Sequence, residues 1–198
     1  MSKKNVIVRK LKSVESLGSC TVIASDKTGT LTVNEQTAKK ILLPNNLEYD
    51  ITGTGYELEG KLIGEEPEYA RELALYGTIN NEASIKNNKK IGDSIDIAFL
   101  VLGKKLNINK DNIKIVETIP YESENKYSAV FYELDGEPYC TVKGSLEKVK
   151  EFCKDINLTK EKIDSNLLEE QNETLAKNGY RVIALANGKI EKKEKYEE

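Results

Sequence analysis

The fold class this sequence predicts is α+β, an antiparallel twisted sheet flanked by helices. Three observations predict it. Two strand-forming runs, Tyr127–Leu134 and Glu137–Val142, flank Asp135-Gly136, a dipeptide favoured in a two-residue hairpin turn. Pro67 suits the first turn of a helix running to about Ile79, because its fixed φ is already helical and its missing N–H is not needed there. Asp93 can cap a second helix to about Lys105, its carboxylate accepting from the free N–H groups of the first turn.

The elements follow in order. Met1–Lys12 is basic, and Thr21–Ser25 is a β-branched run that reads as a buried strand. It stops at Asp26-Lys27-Thr28-Gly29-Thr30-Leu31-Thr32, so a carboxylate stands directly after a strand, as at the carboxyl edge of a parallel sheet. Lys40–Leu43 and Leu47–Thr52 read as strands, followed by the turn-rich Gly53–Gly64. In the first helix Tyr69, Leu73 and Tyr76 share one face; in the second Ile95, Ala98, Phe99 and Leu102 form the side expected to be buried. Ile113–Ile119 is a third strand beside the hairpin. Helices from about Ser145 to Phe152 and Glu161 to Asn178, then a strand Tyr180–Ala186, complete the domain. The tail from Glu191 is charged apart from one tyrosine and is expected to be disordered. Residues 1–35, 36–188 and 189–198 therefore read as a partial domain, a full domain and a tail.

Composition narrows the function classes. A net charge of −3, with lysines spread among acids, gives no basic face for nucleic acid. The longest apolar run, Ile95–Leu102, contains Asp96 and is far short of the roughly 20 residues of a membrane span. With no signal segment either, a soluble, intracellular chain without direct membrane contact is expected. Histidine is absent, which removes His-based triads and His general bases. Three scattered cysteines, Cys20, Cys140 and Cys153, read as buried thiols rather than disulfides or a zinc site. Gly53-Thr54-Gly55 lacks the third glycine of a dinucleotide fingerprint, since Leu58 stands there, and no P-loop pattern occurs.

The run Asp26–Thr32 resembles, without a mismatch, the phosphorylation signature of the P-type ATPases. A carboxylate can attack the γ-phosphorus of ATP and hold the phosphoryl group as a mixed anhydride. Charge gathering at that centre calls for Mg²⁺, backbone N–H groups and a lysine. The resemblance implies Asp26 as acceptor, Asp26 and the Thr28 carbonyl as Mg²⁺ ligands, and Lys27, Thr28 and Gly29 around the phosphoryl oxygens. Asn5–Arg9 and Val14–Gly18 are similar to the stretch leading from a pump helix into the phosphorylation domain, and Gly53-Thr54-Gly55-Tyr56 resembles a turn of the calcium-pump branch.

Four further stretches resemble the family's nucleotide-binding domain, in its order. Gly92-Asp93-Ser94-Ile95-Asp96 is similar to Gly-Asp-Pro-Thr-Glu, which puts Asp96 in the place of an acid facing the adenine amino group, one methylene shorter. Pro120–Lys126 is similar to Pro-Phe-x-Ser-x-x-Lys, implying that Tyr121 stacks on adenine and Lys126 reaches the base or the phosphates. Val142-Lys143-Gly144-Ser145 resembles Lys-Gly-Ala, with Lys143 at a pocket floor and Gly144 admitting the base. Gly179–Ala186 resembles Leu-Arg-Val-Leu-Ala-Leu-Ala, implying that Arg181 contacts ribose or phosphate. Without the resemblance, Asp96 serves equally as a first-turn acid, Tyr121 as a strand-end core residue, Lys143 as a solvated lysine and Arg181 as the partner of a surface acid.

The resemblance implies an excerpt of a pump: a nucleotide-binding domain with an incomplete phosphorylation segment of haloacid-dehalogenase type. Its partners would be ATP and the pump's other parts, namely the second half of the phosphorylation domain, the actuator domain and the membrane helices. Such an excerpt is expected to bind ATP weakly and not to turn it over. Residues 1–35, short of partner strands, are expected to be disordered, exchanged between copies, or laid against the larger domain. Two other readings stand beside this one. One is a free-standing adenine-nucleotide or interaction module without catalysis. The other is a haloacid-dehalogenase-type phosphatase, which would need an acid where Thr28 stands.

Overall fold

The computed structural model describes residues 18–27, 35–86, 89–156, 161–193 and 195–196. The chain divides into two units, Met1–Asn34 and Glu35–Glu198. Within the first unit the described residues form no strand at Thr21–Ser25, contrary to the reading above. Val22 and Ile23 are 76% and 87% exposed. A strand needs a neighbour for its N–H and C=O groups, and none is paired to this segment among the described residues.

The second unit holds three antiparallel sheets and four helices among its described residues. Strands β1 (Lys40–Leu42), β2 (Glu48–Ile51) and β3 (Leu62–Ile63) form the first sheet, with Ile41 opposite Tyr49. Helix α1 (Pro67–Ile79) follows, with Pro67 in its first turn as the sequence predicts. A short hairpin of β4 (Ser84–Lys86) and β5 (Lys89–Ile91) leads to α2 (Ser94–Lys105). Asp93 caps α2, its side chain accepting from the Ile95 N–H at 2.8 Å. The main sheet has the order β6-β7-β8-β9, built from β6 (Ile113–Ile119), β7 (Tyr127–Leu134), β8 (Glu137–Gly144) and β9 (Ala184–Lys189). Between β8 and β9 lie α3 (Leu146–Phe152) and α4 (Ser165–Lys177).

The two longer N-terminal helices interlock through glycine. A Cβ on Gly77 of α1 would lie 2.3 Å from the Phe99 ring of α2, and one on Gly103 of α2 would lie 2.3 Å from the Thr78 methyl of α1. This close approach brings the end of α1 beside the first turns of α2. One core joins the first sheet to both helices through Ile41, Leu43, Tyr49, Ile51, Ala70, Ala74 and Leu102. A second core, of Ile119, Ala129, Val142 and Val149, seats α3 on the main sheet.

Several expectations are corrected. The buried side of α2 is set by Ile97, Val101 and Leu102, while Ile95, Ala98 and Phe99 are only half-buried. The last strand is Ala184–Lys189 rather than Tyr180–Ala186, because β8 pairs it from Gly144 opposite Ala184 to Tyr139 opposite Lys189. Helix α4 starts at Ser165, where Asp164 accepts from the Asn166 and Leu167 N–H groups. In the tail, Tyr196 is buried: its ring stacks on Phe131 at 4.5 Å and its N–H donates to Glu117 at 2.9 Å. Cys20 is exposed, and Cys140 and Cys153 are half-buried. Among the described residues no helix is long and apolar enough to cross a membrane.

Candidate functional site

Main-sheet register gathers three of the sequence-predicted stretches at one end, and the fourth, Gly92–Asp96, joins them through the Asp96–Lys143 ion pair. Tyr127 pairs with Gly144, and Gly144 with Ala184, so the loop Pro120–Lys126, the end of β8 and the segment before β9 all meet there. The end of α1 reaches the same place through Asn80. Its side-chain amide donates to the carbonyls of Ser128 at 2.9 Å and Thr141 at 3.1 Å, and the Ser128 hydroxyl donates back to the Asn80 Oδ1 at 2.8 Å. An asparagine only 2% exposed thereby satisfies backbone carbonyls of two adjacent strands and ties them to a helix.

Lys143 is the centre of this arrangement. It is 7% exposed, its ammonium is ion-paired with Asp96, and it donates to the Asn80 carbonyl at 2.6 Å. The same nitrogen lies 5.8 Å from the centre of the Phe99 ring, in cation–π range. A buried ammonium is tolerated only when paired and hydrogen-bonded, and here it is both. The reading of Lys143 as a solvated surface lysine is therefore overturned. Asp96 holds its own place with more than the ion pair. Its Oδ2 accepts from the Glu82 N–H at 2.9 Å, and its carbonyl accepts from the Asn81 side chain at 2.7 Å.

Gly144 has an internal reason to be glycine. A Cβ there would lie 2.3 Å from the Lys126 carbonyl oxygen and 2.8 Å from the Tyr127 Cα. The close approach is thus of the neighbouring strand, and the Ser145 N–H donates to that same Lys126 carbonyl at 3.0 Å. Lys126 itself has φ of 59° and closes a tight turn, its N–H donating to the Glu122 carbonyl at 2.8 Å. Tyr121 is 57% exposed, so it is not a strand-end core residue. Arg181 is exposed just before β9, with no surface acid paired to it among the described residues.

Asp26 and Lys27 are exposed in the first unit, and Thr28 and Gly29 lie outside the described residues. No group of three or more carboxylate or thiol side chains among the described residues gathers to hold a metal. Two cavities are lined by none of the described site residues named above. One, of about 790 Å³, is between α4 and the first sheet; the other, of about 280 Å³, is lined by Thr78, Ser84, Lys104 and Lys110.

Sequence reasoning missed Asn80 and Phe99 as site residues. Asparagine at a helix end is ordinary, and only the pairing of distant strands reveals what it holds. Phe99 was read as core, and its ring does pack there, but its face also meets Lys143.

The family model described as P-type ATPase, cytoplasmic domain N, matches residues 69–198. Calcium-transporting ATPase type 2C member 1 of Mus musculus is 35% identical over 210 residues, covering 95% of this chain and 22% of that protein. Type 2C member 2 of the same organism is 34% identical, with the same coverage. Cation-transporting ATPase pma1 of Synechocystis sp. is 32% identical over 214 residues, covering 96% of this chain and 23% of that protein. The chain thus spans about a fifth of the length of these relatives. With about two thirds of its residues matched by that model, this chain belongs to the cytoplasmic N-domain family of the P-type ATPases.

Proposed function

We propose that this chain binds ATP at the Lys143 end of the main sheet and presents its terminal phosphate to Asp26 within a cation-transporting pump. Calcium is the cation that two of the relatives' names give, and it is the cation we assign. The observation carrying this reading is the buried Lys143, held by Asp96 and the Asn80 carbonyl at the sheet end that also carries Tyr121, Lys126 and Arg181. A fixed cation beside an exposed ring and two exposed cations suits a stacked purine with a polyphosphate tail.

Each residue then has a role. Tyr121 stacks on the base, Lys143 forms the floor, and Lys126 and Arg181 balance ribose-side and phosphate charge. Gly144 keeps β7 and β8 close enough to form that floor. Asp26 is the nucleophile: its carboxylate oxygen bonds to the γ-phosphorus as the bond to the β,γ-bridging oxygen breaks, and ADP leaves. Lys27, Thr28 and Gly29 surround the transferred group, and Mg²⁺ is the ion implied at Asp26 and Thr28. We assign the second half of the phosphorylation domain, the actuator domain and the membrane helices as its partners in the pump, and by themselves these 198 residues bind ATP without turnover.

An NMR titration of the chain with ATP tests the reading. Shifts should centre on Tyr121, Lys126, Lys143 and Arg181, and Tyr121→Ala and Lys143→Ala should each weaken binding about tenfold, the loss expected for a stacked ring or a desolvated charge contact. Shifts mapping elsewhere, with both variants binding normally, would sink it.

A further inference from the structure

The smaller cavity, of about 280 Å³, is lined from three sides: by the last turns of α1 and α2, by β4, and by the connection leading to β6. Its walls divide by chemistry. Ile85, Leu100 and Ile108 give it apolar surface, while Lys104, Lys110 and Ser84 bring two ammonium groups and a hydroxyl. No carboxylate is among the lining residues. Glu82 and Asp111, the acids closest to the lining in sequence, are exposed. Neither lysine has a carboxylate partner among the described residues.

Lys110 donates to the Thr78 carbonyl at 2.9 Å, at the end of α1, and an ammonium has two further protons to give. Burial and the neighbouring Lys104 charge hold it below the ordinary lysine range, and no acid offsets them. A place at a helix C-terminus explains either lysine by itself. It does not explain two like charges set around one cavity without an acid between them. The hairpin that supplies Ser84 and Ile85 adds exposed Lys86 and Lys89, which strengthen the positive field there.

A monoanion would match only one of the two lining charges. A phosphate monoester carries about −1.5 to −2 at pH 7 and also offers an acceptor oxygen to the Ser84 hydroxyl. Its carbon stem, which inorganic phosphate lacks, suits the apolar wall. We propose that this cavity binds a phosphate monoester on a short aliphatic stem, with the phosphate held by Lys104, Lys110 and Ser84 and the stem against Ile85, Leu100 and Ile108. The site shares no lining residue with the Lys143 end of the main sheet and does not rest on the nucleotide reading.

The experiment titrates butyl phosphate and inorganic phosphate into the isotope-labelled chain, with NMR spectra reporting fold, location and affinity together. Shifts should centre on Ser84, Ile85, Lys104 and Lys110. Butyl phosphate should bind about tenfold tighter than inorganic phosphate, the gain expected from about two buried methylenes. Lys104→Gln and Lys110→Gln should each weaken it about tenfold, as loss of a charge-assisted contact does. Because Lys110 also supports the end of α1, Lys104→Glu, at an exposed position, carries the test if Lys110→Gln does not fold, and should abolish binding. Phosphatidylcholine vesicles with and without phosphatidate then distinguish the source. Phosphatidate-dependent sedimentation that Lys104→Gln abolishes assigns a lipid headgroup; butyl phosphate binding without sedimentation assigns a soluble ester; both uphold the site. Butyl phosphate binding no tighter than inorganic phosphate, or indifferent to the lysine changes, overturns the proposal. So do shifts confined to Tyr121, Lys126 and Arg181, which would place the anion in the nucleotide site instead.

Discussion

Asn80 and Ser128, 48 positions apart in the chain, exchange two hydrogen bonds in the protein interior: amide to carbonyl at 2.9 Å and hydroxyl to Oδ1 at 2.8 Å. The same asparagine also supports Thr141 and Lys143. Asn80→Leu leaves two buried carbonyls and a buried hydroxyl short of partners. The expected loss is about 2–3 kcal/mol of unfolding free energy, from unsatisfied polar groups in a dry environment. Urea unfolding followed by circular dichroism measures it, and a change below 1 kcal/mol, taken as roughly the net value of one hydrogen bond, contradicts the role given to Asn80.

Gly144→Ala tests the strand contact. The added methyl would meet the Lys126 carbonyl at 2.3 Å, a backbone atom that cannot swing away as a side-chain tip would. Separation of β7 from β8 at this end should cost about 1–3 kcal/mol, the usual range for overpacking. ATP affinity should fall as well, because Lys143 precedes this residue on the displaced strand.

Cysteine chemistry separates exposed from sheltered thiols. Burial pushes the Cys140 thiol up to about 11 and raises that of Cys153, while Cys20 is exposed. At pH 8 only about 0.1% of a thiol with such a pKa is thiolate, so iodoacetamide should modify Cys20 long before Cys140. Mass spectrometry of the native and urea-unfolded chain reads the order. The folded pKa lies above the ordinary value of 9.0, so the native state holds this proton more tightly than the unfolded state. The stability it contributes is full below pH about 9 and is lost as pH rises towards 11, a slope that Cys140→Ala should reduce.

Tyr196→Ala removes a ring stacked on Phe131 at 4.5 Å, with the planes 12° from parallel. A loss of about 1–2 kcal/mol is expected from the aromatic pair and its burial. Amide exchange in β6 should quicken in this variant, and unchanged protection there would show that the tail rests on the sheet without supporting it.

Strong local signals carried much of the fold. Pro67 placed α1, Asp93 placed α2, and Asp135-Gly136, with φ of 52° and 83°, closes the hairpin expected of it. The β4–β5 hairpin escaped notice because Ser84–Lys86 and Lys89–Ile91 each offer one isoleucine among polar residues, too little for a periodicity. The shift of β9 was invisible for another reason. Apolar alternation suggested a start at Tyr180, yet pairing with β8 extends the strand through Asn187, whose side chain accepts from the Tyr132 hydroxyl at 2.8 Å. At the site, residue types and order pointed to Lys143 and Asp96, but their direct pairing depends on how closely α1 and α2 approach through Gly77 and Gly103. That distance is a tertiary property which neither helix encodes alone.

The buried tail tyrosine has a mechanical corollary. A pull on the C-terminal end would not be borne first by β9, to which the tail is covalently joined. It would reach Glu117 on β6 and Phe131 on β7, the strands bridged by the loop that carries Tyr121 and Lys126. Tension at one end of the polypeptide thus has a short route to the base-stacking ring.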